Sequence, residues 1–561
     1  MTTFAEVLRQ YHRETPERVC MVLQHSGQED RKVTYRELLE GANAHARSLQ
    51  AAGIQPGEVV ILILQHGSDL VFSFFGAVLH GAIPSIMPFL TEKLLPERYR
   101  ADLASLVSIT RPAAIITYPE FEEEVRAALH PGDSVRAVLL ADQVEAPSAP
   151  DFEQLEGLRR TPQDIVLLQH SSGTTGLQKG VALSHQAVFN QLAAYQQALH
   201  LDPEQDVIVS WLPLYHDMGL IAGFLQPVLT GTLLVMMSPF EWVRAPQRLL
   251  TAVSQYRGTL SWLPNFAYNF CAQKIRDRHL EGVDLSSWRA VINCSEPVRY
   301  ESHRAFLERF APHGFRPQAL AASYAMAENV FGVTQGGIDA PLTVDIIDRE
   351  AFQVERVARP CADGDGALKM VSCGRPLSNT QVRILSAEGQ ELPERHVGEV
   401  ALHSDCMLTG YYNRPDETAR AFRDGWYLTG DYGYLADGEL YVSGRKKDLI
   451  IVGGKNIYPQ DLENLAMSVP GVHAGRVSAF GVDNPEAGTE DVVIVAEVDS
   501  EDPQVREQIA DGIRQAVTRG SAVALRSVYL VGPQWLVKTS SGKNARLANR
   551  DKFLKETAEQ G

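Results

Sequence analysis

The run Val59-Val60-Ile61-Leu62-Ile63-Leu64 constrains the fold most, because a strand with no polar position must be covered on both faces. Strands of that kind belong to parallel sheets whose crossovers are helices. Upstream, Thr34 and Glu37 have capping-box spacing, and Tyr35, Leu38, Leu39, Ala42, Ala46 and Leu49 then fall on one helical face before Gly53 and Pro56-Gly57 end it. A second helix-to-strand passage runs from Leu70 through Gly81 to Ile86. The pattern resumes with an apolar strand over 164–168, a Gly/Ser/Thr loop and a helix starting near Ser184. Short apolar runs end in polar loops at 207–210, 290–293 and 319–323. This alternation predicts an α/β architecture with helices on both sheet faces, and ligands bound beyond the carboxyl ends of the strands.

After Gly444-Arg445 the pattern changes. It predicts a strand over 449–452, a helix over 460–468, and strands over 477–480 and 492–498. A helix with Val505, Ile509, Ile513 and Val517 on one face follows, then a strand over 528–531. The expected organisation is a large domain over 1–446 and a small α+β domain over 447–561. Composition narrows the partners. With 52 Lys+Arg against 69 Asp+Glu the net charge is −17, which disfavours a protein that coats nucleic acid. The apolar stretch 220–237 is interrupted by Gly223, Gln226, Pro227 and Gly231, so it reads as core and not as a membrane span. Charged residues from Glu6 to Arg18 exclude a signal-peptide core at the start, and six scattered cysteines without a C-x-x-C pair suit reduced thiols in the cytoplasm.

Ser171-Ser172-Gly173-Thr174-Thr175-Gly176-Leu177-Gln178-Lys179-Gly180 carries the most chemistry. Its glycines let backbone N–H groups approach an anion, its hydroxyls add donors and Lys179 adds charge. It is not a Walker loop, because Gln178 and Gly180 flank the lysine where Gly and Ser or Thr are required. Taken alone, the run fits a surface loop as well as an anion cradle. Four further segments stand in a telling order: Tyr324-Ala325-Met326-Ala327-Glu328, Tyr427-Leu428-Thr429-Gly430-Asp431, Gly444-Arg445-Lys446-Lys447-Asp448 and Ser541-Gly542-Lys543. Together with the loop, they make the chain resemble the adenylate-forming superfamily of acyl-CoA synthetases, peptide-synthetase adenylation domains and luciferases. Within it, Trp211-Leu212-Pro213-Leu214-Tyr215-His216-Asp217-Met218-Gly219, Leu263-Pro264-Asn265-Phe266 and Ser295-Glu296-Pro297-Val298 resemble the fatty acyl-AMP ligases.

The resemblance implies a large multi-sheet domain, a small mobile C-terminal domain, and a set of roles. ATP-dependent activation of a fatty acid gives an acyl-adenylate and pyrophosphate; the acyl group then passes to the phosphopantetheine thiol of an acyl carrier protein. Thr174, Thr175, Gly176 and Lys179 would cradle the β- and γ-phosphates, and Glu328 would hold Mg²⁺, a hard cation suited to carboxylate and phosphate oxygens. Asp431 would accept from the ribose hydroxyls, with Arg445 beside the sugar or α-phosphate. Ser295, Glu296, Pro297 and Tyr324 would border the adenine, and His216 would stand near the substrate carboxylate. Lys543 would bridge that carboxylate and the α-phosphate, reached by domain closure about a hinge at Lys447. The thiol would enter past Gly453, Gly454 and Lys455.

Trp211, Leu212, Leu214, Met218, Ile221, Phe224, Trp262, Phe266 and Phe270 offer lining for an alkyl chain, a spacing that plain core shares. The segment 336–371 matches in position an insertion that, in the fatty acyl-AMP ligases, restrains the small domain and disfavours free coenzyme A. Cys294, Gln178 and Tyr432 stand where Gly, Pro and Leu are usual. An acyl-CoA synthetase shares the first half-reaction. A catalytically silent nucleotide-binding protein would be expected to lack Lys179, Glu328, Asp431 or Lys543, and all four are present.

Overall fold

The computed structural model describes residues 2–89, 96–144, 148–171, 179–452, 455–484, 489–521, 523–539 and 542–559. The chain forms two compact units, one of Met1–Thr343, Val371–Gln381 and His403–Trp426, the other of Val344–Met370, Val382–Leu402 and Tyr427–Gly561. This cut by packing differs from the expected boundary before Lys447, which falls inside the second unit.

The first unit holds two seven-stranded sheets. In one, the order is Leu320–Ala322, Ala290–Asn293, Leu260–Leu263, Val207–Ser210, Leu233–Met237, Val19–Gln24 and Arg31–Thr34, parallel except for the last pair. The chain leaves Val207–Ser210 for a neighbour on one side and returns on the other, so the order reverses about that strand. In α/β sheets such a reversal opens a crevice at the carboxyl ends.

In the other sheet, Val59–Leu62 lies parallel between Ile83–Ile86 and Ala114–Thr117, and the whole apolar run through Leu64 is buried, as expected. Each such side chain contributes about 1.5–3 kcal/mol. The helix Tyr35–Ala51 begins with the expected capping box, Thr34 and Glu37 each bonding the other's backbone N–H. The Gly/Ser/Thr loop does not lead straight into a helix. Ile165–Ser171 is followed by an antiparallel strand Lys179–Ser184, with Ser171 opposite Lys179, and only then by the helix His185–Leu199 capped by Ser184. The strand Gly410–Tyr411 completes this edge, pairing with Ala182 and Val181.

In the second unit, Thr380–Leu385, Gly398–Ser404, Trp426–Ala436 and Glu439–Arg445 belong to one sheet. The segment after Thr343 forms a two-stranded sheet of Val344–Asp348 and Ala367–Val371. Its Ile347 and Phe352 share a buried cluster with Tyr434 and Tyr441 of the sheet and with Leu449 and Tyr458 beyond Lys447. Arg356 donates to Asn456 Oδ1 at 3.1 Å, and Asn456 Nδ2 donates to the Gln353 carbonyl at 3.2 Å.

Further on, Val472–Asn484, Thr489–Val498 and Leu525–Val531 form a three-stranded sheet. Alternation sends Val492, Ile494 and Ala496 to one face, under the helices Pro459–Met467 and Pro503–Ser521. Val493 and Val495 go to the other, under Phe553 of the helix Arg546–Glu559. That last helix and the short strand Lys455–Ile457 are not legible in the apolar periodicity. No helix among the described residues is long and apolar enough to cross a membrane. The stretch around 220–237 is instead a π-helical turn Met218–Leu225, a short helix Gln226–Thr230 and the buried strand Leu233–Met237.

Candidate active site

The hairpin Ile165–Ser171 and Lys179–Ser184 presents Lys179 at its end. Thr174, Thr175 and Gly176 lie outside the described residues. Lys179 Nζ donates to Glu417 Oε2 at 2.6 Å and stands 4.7 Å from the centroid of the Tyr411 ring. The Tyr411 hydroxyl donates to Glu328 Oε1 at 2.8 Å. One phenol thus separates the loop cation from the carboxylate expected to hold the metal. Glu417, on the helix Pro415–Ala421, is held below the usual carboxylate range, chiefly by its hydrogen bond from Lys179. That helix is tied down where Tyr411 N–H donates to Thr418 Oγ1 at 2.9 Å. Tyr411 and Glu417 are absent from the sequence-based set. Their partnership arises from strand pairing and bridges 238 residues between Lys179 and Glu417, so no local motif signals it.

Glu328 is buried on a 3₁₀ turn, Ala327–Asn329. The turn is locked by Asn329, which donates to the Gly332 carbonyl at 2.8 Å and accepts from Ser404 Oγ at 2.5 Å. Val330 follows at φ +62°, ψ −55°, while Phe331 N–H reaches back to the Asn329 carbonyl at 2.6 Å. This is a γ-turn of the strained hand, held here by a β-branched residue with no exposed surface. Its strain is offset by the buried bonds around it. A hard cation that takes one protein carboxylate and fills its remaining positions with phosphate and water oxygens fits such a place. Among the described residues no cluster of three or more His, Cys, Asp or Glu forms a metal cage.

Ser295, at φ +69°, turns the loop after Ala290–Asn293. Glu296 does not point its whole charge outward: its Oε2 accepts from Phe266 N–H at 2.9 Å in the first turn of the helix Asn265–Lys274. Beneath the loop, Asn265 Oδ1 accepts from Asn293 Nδ2 and from Arg299 N–H, each at 3.1 Å. Asn293 Nδ2 also lies 2.9 Å from His303 Nε2. Burial pushes His303 down to about 4, so it is neutral and accepts there. Tyr324 N–H donates to Thr334 Oγ1 at 3.2 Å, which fixes the next loop along the sheet edge. Ser295, Glu296 and Tyr324 therefore stand on loops after neighbouring parallel strands.

His216 sits on the loop after Val207–Ser210, at the point where strand order reverses. Its Nδ1 lies 2.6 Å from Asp217 Oδ1. Met218 N–H lies 2.8 Å from the same carboxylate oxygen and 3.4 Å from Nδ1. The shorter, charge-assisted contacts decide the arrangement: Asp217 accepts from both, and the His216 proton is held on Nδ1. The loop carbonyl of Leu212 accepts from His66 Nε2 at 3.2 Å, and burial pushes His66 down to about 4, leaving a neutral donor. A Cβ on Gly219 would come within 2.2 Å of the Pro213 carbonyl oxygen. Next to the loop, the Trp211 and Trp242 rings stack at 3.6 Å, with Phe270 5.4 Å from Trp242. Of the other expected lining residues, Trp262 is committed to the core through Nε1, which donates to Tyr195 Oη at 2.8 Å, whereas Phe266 is exposed.

The second unit carries the remaining set. Asp431 and Arg445 face each other across paired strands, Arg445 Nε 3.7 Å from Asp431 Oδ1. Thr429 Oγ1 accepts from Asp431 N–H at 3.0 Å, and Lys446 Nζ donates to Glu399 Oε2 at 2.9 Å. Lys447 is in the middle of a 3₁₀ turn, Lys446–Asp448. At the loop end, Thr539 N–H donates to the Lys543 carbonyl at 2.8 Å and Thr539 Oγ1 accepts from Lys543 N–H at 3.1 Å. Arg546 ties this loop's end to the turn and to the helix Pro459–Met467, reaching Asp448 Oδ2 and Glu463 Oε2, each at 2.7 Å. Gly453 and Gly454 lie outside the described residues.

The model of the family described as AMP-binding enzyme matches residues 8–412. A putative acyl-CoA synthetase of Caulobacter vibrioides is 32% identical over 93% of this chain and 90% of its own. The medium-chain-fatty-acid–[acyl-carrier-protein] ligase JamA of Moorena producens is 30% identical over 98% and 94%. A solved structure from studies of the fatty acyl-adenylate ligases of E. coli and L. pneumophila superposes with a TM-score of 0.90 at 29% identity, covering 100% of this chain and 99% of the other. The architecture is the α/β adenylate-forming fold, with the named fatty acyl-AMP ligases among its near relatives. Tyr411 thus brings Lys179 and Glu328 together in the first unit, and the chain belongs to the AMP-binding enzyme family.

Proposed function

We propose that the protein activates a fatty acid with ATP, forming acyl-adenylate and pyrophosphate, and then transfers the acyl group to the phosphopantetheine thiol of an acyl carrier protein. The observation that carries the reading is the Lys179–Tyr411–Glu328 arrangement in a member of the AMP-binding family. The carboxylate attacks the α-phosphorus, the bond to the β-phosphate breaks, and pyrophosphate leaves. Lys179, with Thr174, Thr175 and Gly176, takes the β- and γ-phosphates. Glu328 would hold Mg²⁺, which when bound screens phosphate charge. Asp431 and Arg445 take the ribose side, and Ser295, Glu296, Pro297 and Tyr324 border the base. His216, its Nδ1 engaged by Asp217, stands beside the substrate carboxylate. Lys543 neutralises the charge that builds between carboxylate and α-phosphate. The fatty character of the acid is supported by the aromatic wall at Trp211, Trp242 and Phe270 and by the activities for which the relatives are named.

A split at 446/447, with rotation about Lys447, belongs to the same proposal. Such a rotation would have to part Gln460 Nε2 from the Ser443 carbonyl, 2.5 Å away, and Arg356 from Asn456. The 344–370 segment packs on residues either side of Lys447, which supports a restraint on that motion and hence a carrier protein over free coenzyme A. The relative named as a putative acyl-CoA synthetase favours the other acceptor. Purified protein supplied with ATP, Mg²⁺ and acids of increasing chain length, then with coenzyme A or a phosphopantetheinylated carrier protein, tests both. Acyl-AMP followed by acyl-carrier product is expected. Rapid acyl-CoA formation overturns the acceptor assignment, and absence of any acyl-AMP overturns the reaction.

A further inference from the structure

Glu417 is the carboxylate on Lys179, and the proposed reaction gives it no role. Its Oε2 accepts from Lys179 Nζ at 2.6 Å, and its Oε1 lies 3.4 Å from Arg420 Nη1. The helix that bears it is fastened to the strand of Tyr411 through Thr418. Lys179 is fixed at its backbone by the hairpin register, so only its four-carbon side chain is free to turn. The ammonium therefore has two resting places within reach of one backbone position, the Glu417 carboxylate and the phosphates it would hold during adenylation.

We propose that Glu417 is a positioning residue that acts through Lys179, holding it as an exchangeable counter-ion for which first the triphosphate and then the pyrophosphate must compete. The inference rests on Lys179 being a ligand of the β- and γ-phosphates. Both partners are partly exposed, with 37% of the Lys179 side chain and 29% of Glu417 accessible, so the pair is of the weak, screened kind. That weakness suits exchange. When Lys179 turns to phosphate, Glu417 keeps Arg420 and is not stranded. When pyrophosphate has been cut from the α-phosphate, recapture of Lys179 by Glu417 removes one of its cations and speeds its departure. The carboxylate thereby trades ATP affinity for product release.

The test is calorimetric titration of pyrophosphate, with Mg²⁺ present, into the full chain as wild type, Glu417→Gln, Lys179→Gln and the double variant. Glu417→Gln is expected to bind pyrophosphate about fivefold more tightly, the scale of one exposed ion pair. The gain is expected to vanish in the Lys179→Gln background. In turnover, Glu417→Gln is expected to lower the KM for ATP and kcat together, a split that mere loosening of the helix would not give. Unchanged or weaker binding, or the same gain without Lys179, overturns the proposal. Should Glu417→Gln fail to fold, Glu417→Asp is titrated instead, with a smaller gain in the same direction expected and none overturning. Wild type that makes acyl-AMP while the variants show no gain defeats this proposal alone. Wild type that binds pyrophosphate as expected but activates no fatty acid defeats only the substrate reading.

Discussion

At Tyr411 the ring face takes the Lys179 ammonium while the hydroxyl donates to the Glu328 carboxylate, so one side chain spaces a cation from an anion. Tyr411→Phe keeps the ring and removes only the donor to a buried charge. A hydrogen bond to a charged group contributes about 1.5–3 kcal/mol, so kcat/KM for ATP in fatty-acid-dependent pyrophosphate exchange is expected to fall by about tenfold or more. A rate equal to wild type would show that the hydroxyl plays no part. Lys179 and Glu328 are legible in the sequence because each sits in a local motif. Tyr411 and Glu417 are not, because their roles come from which strand completes the hairpin edge.

Among the elements, the loop after Val207–Ser210 is held from three directions: by His66 on Leu212, by Asp217 on His216, and by the approach of Gly219 to Pro213. Gly219→Ala forces backbone apart, since the contact is with a carbonyl and no flexible side chain can yield. It is expected to destabilise the protein by about 1–3 kcal/mol and to depress acyl-AMP formation more than ATP binding, measured by urea unfolding and by nucleotide titration. In the second unit, Arg546, with 18% of its side chain exposed, pairs with both Asp448 and Glu463. Arg546→Leu strips the cation from two carboxylates with only 9% of each side chain exposed, a loss of about 3–5 kcal/mol. Faster hydrogen exchange over 459–467 and 546–559 is the expected signature, and unchanged protection there would contradict the role given to the network. Apolar periodicity shows neither the ion-pair network nor the final helix, which gives Phe553 to the buried cluster on one face of the three-stranded sheet.

For the molecule as a whole, acid stability follows from histidines that the fold keeps neutral. Burial lowers His45, His66, His170, His185 and His303 to about 4, against about 6.5 when unfolded. The unfolded chain then binds more protons between those values. The stability these groups contribute is complete above about pH 6.5 and is lost as pH falls towards 4, at about 1.4 kcal/mol per pH unit for each. The urea midpoint is expected to be flat near neutrality and to drop steeply below about pH 6; a flat profile to pH 4 would contradict the burial. On the reaction, Lys543→Ala is expected to abolish most pyrophosphate exchange, and Lys447→Pro to spare adenylation while losing the thioester step. Retained exchange in the first variant would refute closure onto Lys543.

By itself the sequence determined the α/β class, the apolar strands with their helical covers, and membership of the adenylate-forming group, because each rests on local spacing or on short motifs such as the Tyr-x-Met-x-Glu run ending at Glu328. Only the tertiary structure decided that Ile165–Ser171 and Lys179–Ser184 pair as antiparallel strands, that Glu417 is the counter-ion of Lys179, and that the 344–370 segment packs on both sides of Lys447. Those outcomes depend on pairings between residues far apart in the chain. Burial and charge select such pairings only after the sheets have formed.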